Sequence, residues 1–392
     1  MQLPRALLTF LFAGALPLGA VYAPVPEPEQ GKVFAVTLKA GAYRDSNIFG
    51  SVTGAIDSMV YSVSPTLSLS SSLSQQTFLS GRYKLAVDRI EDRPGDNTLD
   101  SHELTLRLAH AFRPGTTIDI TEAYTIARNP ESLLAGISLN TDQSFQRNQV
   151  DGRFEHTLNP KFAATVKARS ILFSYENDGL AENLDRAETL LGLTGVYALL
   201  PETKVAAEYR FQDVAYGTGG ATKDKDSHFL LVGIDYAPGP KLTASARVGA
   251  EFRSRSGEAG QDSPYLELSA KYDYGEDNFL SAGYVYTLEE TSNVALYTDT
   301  QVHRVFANVQ HALTPSLVGS GSINFEPSTL QGRRGISPDR DETTVRFGLA
   351  LTYVAQRNWS VSATMDLDDV SSDDVSRGLE RSRYGVSARY QF

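Results

Sequence analysis

The chain predicts an all-β fold, a transmembrane antiparallel up-and-down β-barrel of about 18 strands, with 16 as the alternative count. Three observations predict it. Segments with a strict period of two recur along the chain, so one strand face is apolar and the other polar. Tight turns recur every 37 to 46 residues, with longer polar stretches between them. No apolar run after the first 23 residues approaches the roughly 20 residues of a spanning helix.

Composition suits this class. There are no cysteines among the 392 residues, which excludes disulfides and thiolate metal or redox chemistry. Tyr 19 and Phe 18 against Trp 1 supply interfacial aromatic girdles. The mean hydropathy of -0.25 is expected where only alternate residues meet lipid. A net charge of -11 argues against a nucleic-acid partner.

Residues 1–23 read as a secretory signal peptide. Arg5 starts it, an apolar stretch follows from Ala6 to Leu18, and the small residues Gly19, Ala20 and Ala23 offer cleavage after Ala20 or Ala23. Residues 24–32 form a short periplasmic segment, and the barrel occupies 33–392. The first strand is Phe34–Tyr43, and Pro65 falls inside the second.

Turns then follow near Leu73, Pro114, Pro160, Pro201, Gly239, Glu276, Pro315 and Gln356. Proline presets φ, while Asn, Asp, Ser and Gly bend or cap the backbone. Long polar loops lie between them at Ile90–Thr98, Asn177–Asp185, Gly217–Asp226, Ser254–Asp262 and Gly332–Asp341. Leu104, Leu106 and Leu108 alternate with Thr105 and Arg107; Leu242 to Phe252 and Trp359 to Leu367 alternate in the same way. Eight turns give sixteen strands, and Phe34–Tyr43 and Arg381–Phe392 make eighteen, with both ends on the short-turn side. Glu122 falls on the apolar register of Thr117–Arg128, so a bulge or shifted register is expected there. Apolar residues occupy both faces near Leu190 to Leu193.

With the apolar register assigned to lipid, the opposite register lines the lumen. Its cations are Lys39, Arg82, Lys84, Arg107, Arg153, Lys167, Arg169, Arg210, Arg247, Lys271, Arg304, Arg346 and Arg389. Asp151, Glu155, Glu208, Glu251, Glu267, Asp366 and Asp368 interleave with them. Eighteen strands leave an aqueous interior, and about ten residues before the first strand are too few for a plug. A water-filled pore for anionic or polar solutes is expected; the competing reading is that these charges pair across strands and only stiffen the wall.

No metal site, cofactor or catalytic motif is expected. The run Asp366–Asp374 lacks the central Gly and terminal Glu of an EF-hand and reads as a loop. There is no HExxH and no G-x-S-x-G. A barrel hydrolase would draw on His102, His228 or His303 near outer strand ends, while His110, His156 and His311 lie by the short turns. A structural or adhesive barrel with a closed lumen is the other alternative, with Pro130–Thr141 as the apolar loop able to fold inward.

The last nine residues alternate strictly, with Tyr384, Val386, Ala388, Tyr390 and Phe392 on one face. This segment resembles the closing strand of bacterial outer-membrane barrels. The resemblance implies that Tyr384, Tyr390 and Phe392 form the signal read by the barrel-assembly machinery. The opening Gly41-Ala42-Tyr43-Arg44-Asp45-Ser46-Asn47-Ile48-Phe49 and the following Ser64-Pro65-Thr66-Leu67 resemble the "putative β-barrel porin 2" type of outer-membrane protein. That resemblance covers nearly the whole mature chain. It implies location in the bacterial outer membrane, contact with its lipid and lipopolysaccharide, and a link to exopolysaccharide production with polysaccharide export partners. It assigns no site residue.

Overall fold

A computed structural model describes residues 33–392 apart from 129–142, 218–222, 256–259, 290, 292–295, 357 and 375–376. The expected signal peptide, the 24–32 segment and the loop Pro130–Thr141 lie outside the described residues.

Eighteen strands form one antiparallel sheet closed on itself. They are β1 (Phe34–Asp45), β2 (Ser58–Ser72), β3 (Thr77–Ile90), β4 (Thr98–Arg113), β5 (Thr116–Ala127), β6 (Phe145–Asn159), β7 (Phe162–Tyr175), β8 (Arg186–Leu200) and β9 (Thr203–Tyr216). Then come β10 (Lys225–Tyr236), β11 (Leu242–Arg255), β12 (Gln261–Asp273), β13 (Phe279–Glu289), β14 (Tyr297–Thr314), β15 (Leu317–Gly332), β16 (Arg340–Gln356), β17 (Trp359–Ser372) and β18 (Leu379–Gln391). Each strand pairs with its sequence neighbour, and β1 pairs with β18 through Lys39↔Arg389 and Gly41↔Ser387. The expected closing pair and the count of eighteen are both present. Closure leaves no edge strand, as a lipid environment requires. No described helix is long and apolar enough to cross a membrane.

The two faces separate cleanly. Leu230, Val232 and Ile234 of β10 are 57%, 58% and 50% exposed, while Phe229 and Leu231 between them are buried. The polar register is the concave one, because its side chains meet across intervening strands. Lys167 of β7 reaches Glu208 of β9 at 3.2 Å, and Arg210 of β9 reaches Tyr265 of β12 at 3.2 Å. Residues so far apart around the sheet converge only on the inside of a barrel.

Local irregularities have physical causes. Pro65 sits in β2 opposite Leu38, and the β2–β3 pairing skips Ser64 and Pro65 without changing register. Proline lacks the N–H that ladder needs. Gly192 explains the two-faced stretch of β8. Leu191 and Leu193 are exposed on the outer face. On the inner face a Cβ on Gly192 would lie 3.5 Å from Lys167 Cβ and 3.9 Å from Glu208 Oε1, beneath the pair those two form across β8.

Two expectations are corrected. The pairing of β5 with β4 and β6 shows no bulge or shift at Glu122. The residue stays on the outer register, where its carboxylate accepts a hydrogen bond from Asn148 Nδ2 at 3.1 Å. The segment from Asp366 to Ser372 is strand rather than loop, because Asp368 is held by Arg383 of β18 at 2.9 Å.

Candidate functional site: the lumen and its outer mouth

All thirteen cations named above stand on the register opposite the exposed apolar stripe, as their cross-strand partners show. Lys84, Arg107, Arg153, Lys167, Arg169, Arg210, Arg247, Lys271, Arg304 and Arg346 each reach a carboxylate. Pairing across strands therefore accounts for much of the wall, as the competing reading of the sequence anticipates.

The wall is nevertheless asymmetric. On the β7–β14 side it is packed. Glu208 is 4% exposed and is surrounded by Arg210 at 2.6 Å, Lys167 at 3.2 Å and Arg247 at 3.9 Å. Phe229, Leu231 and Tyr265 form a buried cluster beside it. Buried carboxylates need such partners, because an unpaired charge out of water is costly. On the β18–β5 side the wall is open. Lys39, Arg82 and Arg107 are exposed on strands otherwise carrying Ser62, Ser64, Thr66, Ser68 and Thr105 on that register. Glu103, also exposed there, is paired with Lys84 at 2.9 Å.

The long-loop end is narrowed by segments that turn inward. Ile48 leaves the end of β1 and buries against Val60 and Ile90, whose side chains lie on the lumen register. Asn47 holds that turn by donating to the Ser51 carbonyl and accepting from the Ser51 N–H, both at 2.8 Å. A short helix, α1 (Asp178–Leu184), is capped by Asn177, and its Leu184 buries against Phe145 and Tyr175. Arg377 closes on Glu342 at 2.7 Å. Arg253 joins Glu251 and Asp299, all three buried. The sequence motif from Gly41 to Phe49 thus reads, in structure, as a strand end, a seam contact and an inward anchor.

All six histidines sit on the outer register. His102, His228 and His303 bond through Nδ1 to the hydroxyls of Tyr83, Tyr209 and Tyr284, each at 2.8 Å. His110 and His156 meet Thr77 and Thr116 at 2.9 Å, and His311 meets Tyr274 at 3.2 Å. None of them points into the lumen. The three Tyr–His pairs share a spacing of 19 residues, a signal present in the sequence that pattern reading missed.

Tyr384 and Phe392 project from β18 and are exposed, and Tyr390 packs between Phe392 and Trp359 with ring centroids 4.7 Å apart in each pair. These contacts place an aromatic cluster at the short-turn end. Among the described residues no group of His, Asp and Glu has the arrangement of a metal site.

Among solved structures, the barrel is similar to OccK2 (OpdF) of Pseudomonas aeruginosa in complex with glucuronate. The TM-score is 0.51 at 11% identity, covering 92% of this chain and 98% of that one. The same protein in a second structure gives 0.50 at 12% identity with the same coverage. A BenF-like porin from Pseudomonas fluorescens Pf-5 gives 0.49 at 10%, covering 92% and 99%. At these identities the likeness is one of fold. No curated protein matches the chain in sequence. The family described as "Putative beta-barrel porin 2" matches residues 33–392, the full extent of the closed barrel with its polar interior, and the chain belongs to that family of outer-membrane porins.

Proposed function

We propose that this porin is a passive channel for polar and anionic solutes, with export of an anionic saccharide as the activity that would tie it to exopolysaccharide production. One observation carries the reading: the β18–β5 wall exposes Lys39 and Arg82 to the lumen, with Arg107 beside them paired to Asp119, while Glu208 and Glu251 on the facing strands are buried against arginines. A passing solute therefore meets positive charge and hydroxyl groups. Exposed cations on a low-dielectric wall focus their field into the aqueous path and raise the local concentration of anions.

The test is single-channel recording in planar bilayers across a KCl gradient. The expected result is a stable conductance with a reversal potential on the chloride side. No conductance, or a potassium-selective pore, overturns the reading. The inward packing of Ile48 and Leu184 favours a second reading, a barrel closed at its outer mouth, which the same recording separates.

A further inference from the structure

Glu122 is an outer-register residue that a channel does not need. On β4 the outer register runs His102, Leu104, Leu106, Leu108, His110, and Glu122 of β5 pairs with Leu106, the middle of the five. The two histidines bond to Tyr83 and Thr77, and such polar-tipped residues suit the two membrane interfaces. The strand between them is about 27 Å long. A strand tilt of about 40° makes the vertical separation about 20 Å, inside the apolar band of about 25 Å that a barrel turns to lipid. Glu122 therefore stands near the bilayer midplane, about 10 Å from either interface. An ionisable side chain at that depth is costly unless protein surrounds it.

Glu122 has polar neighbours on the same face. Asn148 Nδ2 of β6 donates to its carboxylate at 3.1 Å, and Tyr124 donates its hydroxyl to Gln146 at 3.1 Å. Asn148 and Gln146 are the outer-register partners of Tyr124 and Ile126. Ser170 of β7, opposite Val150, is exposed beside them. On β10 the outer register is instead Leu230, Val232 and Ile234. The β5–β7 wall thus carries a polar patch bordered by exposed Leu106, Val150 and Leu172. The bond from Asn148 occupies one oxygen of Glu122, and among the described residues no second donor reaches the group. Acyl chains supply no donor, and headgroups lie about 10 Å above or below.

We propose that this wall is the contact face between two copies of the barrel, related by a two-fold axis along the membrane normal. A two-fold contact has to complement itself. The patch does so: the Asn148 and Gln146 amides and the Ser170 hydroxyl each carry a donor and an acceptor, and Glu122 has an oxygen to fill. In the pair, Glu122 of each copy accepts from an amide or hydroxyl of the other, and Leu106, Val150 and Leu172 pack around these bonds. Polar side chains join membrane-spanning segments in this way. The proposal goes beyond the channel reading and holds whether or not the lumen conducts.

The test is cross-linking of the full folded barrel in phospholipid vesicles. The chain has no cysteine, so one introduced thiol reports one position. Val150→Cys lies in the patch; Ile323→Cys lies nine strands away on the opposite wall, also exposed. With a short bis-maleimide, Val150→Cys is expected to give a covalent dimer and Ile323→Cys to remain monomeric. Adding Glu122→Leu to the Val150→Cys chain should lower the dimer yield about tenfold, because a two-fold contact loses each bond twice. Asn148→Leu should act likewise, and Glu122→Gln, which keeps the shape and an acceptor, should retain the dimer. Urea unfolding of each variant checks that the barrel is intact. No dimer from Val150→Cys, equal yields from the two cysteines, or a dimer that survives both leucine changes overturns the proposal.

Discussion

Arg381 of β18 donates its Nε–H to both carboxylate oxygens of Asp45 on β1, at 2.9 and 3.0 Å, across 336 residues of sequence. Both residues are buried. Asp45 also accepts from the Asn47 backbone N–H at 2.9 Å, so one carboxylate ties the closing seam to the inward turn that carries Ile48. Removing it leaves a guanidinium buried without its counter-charge. Asp45→Ala is therefore expected to destabilise the barrel by about 3–5 kcal/mol, whereas replacing both partners with apolar residues costs much less. Urea unfolding of the refolded barrel, followed by intrinsic fluorescence, measures both. Equal losses for the single and double variants would show that the pair does not act as a unit.

Glu208 joins stability to selectivity. It is buried among Lys167, Arg210 and Arg247. Glu208→Gln keeps the shape and removes the charge that those cations share. Stability should fall by about 3 kcal/mol, because the cations lose their compensation. Chloride preference should rise, because the same cations now face the lumen unneutralised. Unfolding midpoint and reversal potential should thus move in opposite senses. A variant that loses chloride preference contradicts the placement of this cluster on the water path.

Strand count, seam and facing were legible in the sequence because they follow from a period of two and from turn residues, both local properties. The register of the thirteen cations could be read for the same reason. What they pair with could not, because Lys167 of β7 and Glu208 of β9 meet across the intervening strand β8, a contact set by barrel curvature and not by local pattern. Glu122 misled in the other direction. Local pattern pointed to a bulge or a shifted register, yet a cross-strand hydrogen bond from Asn148 satisfies the carboxylate with the register intact.

Adjacent residues of β15 offer a test of facing. Ile323 is 44% exposed on the outer register, and Ser322 stands on the lumen register opposite Asn308 and Gly348. Ile323→Arg places a charge in lipid and should cost about 2–4 kcal/mol near the bilayer midplane. Ser322→Arg gives the guanidinium water and should cost under about 1 kcal/mol. Unfolding in phospholipid vesicles is the measurement that matters, since detergent blurs the difference. The reverse order of the two losses would mean that the faces are assigned the wrong way round.

The three outward Tyr–His pairs should behave as independent units. Tyr83–His102, Tyr209–His228 and Tyr284–His303 lie on three separate hairpins, each joined by one bond of 2.8 Å on the lipid side. Tyrosine and histidine suit the membrane interface because each has an apolar body and a polar tip, and a bond between the tips lowers the cost of placing both near hydrocarbon. Each Tyr→Phe change is expected to cost about 1 kcal/mol, the net worth of one hydrogen bond. Sites this far apart with no shared partner add, so the triple variant should lose about 3 kcal/mol in vesicle unfolding. A matched His→Ala change should add little once the tyrosine hydroxyl of the same hairpin is gone. A triple variant as stable as the wild type would show that the tips are solvated equally well by headgroups. The common spacing of 19 residues would then reflect hairpin length alone.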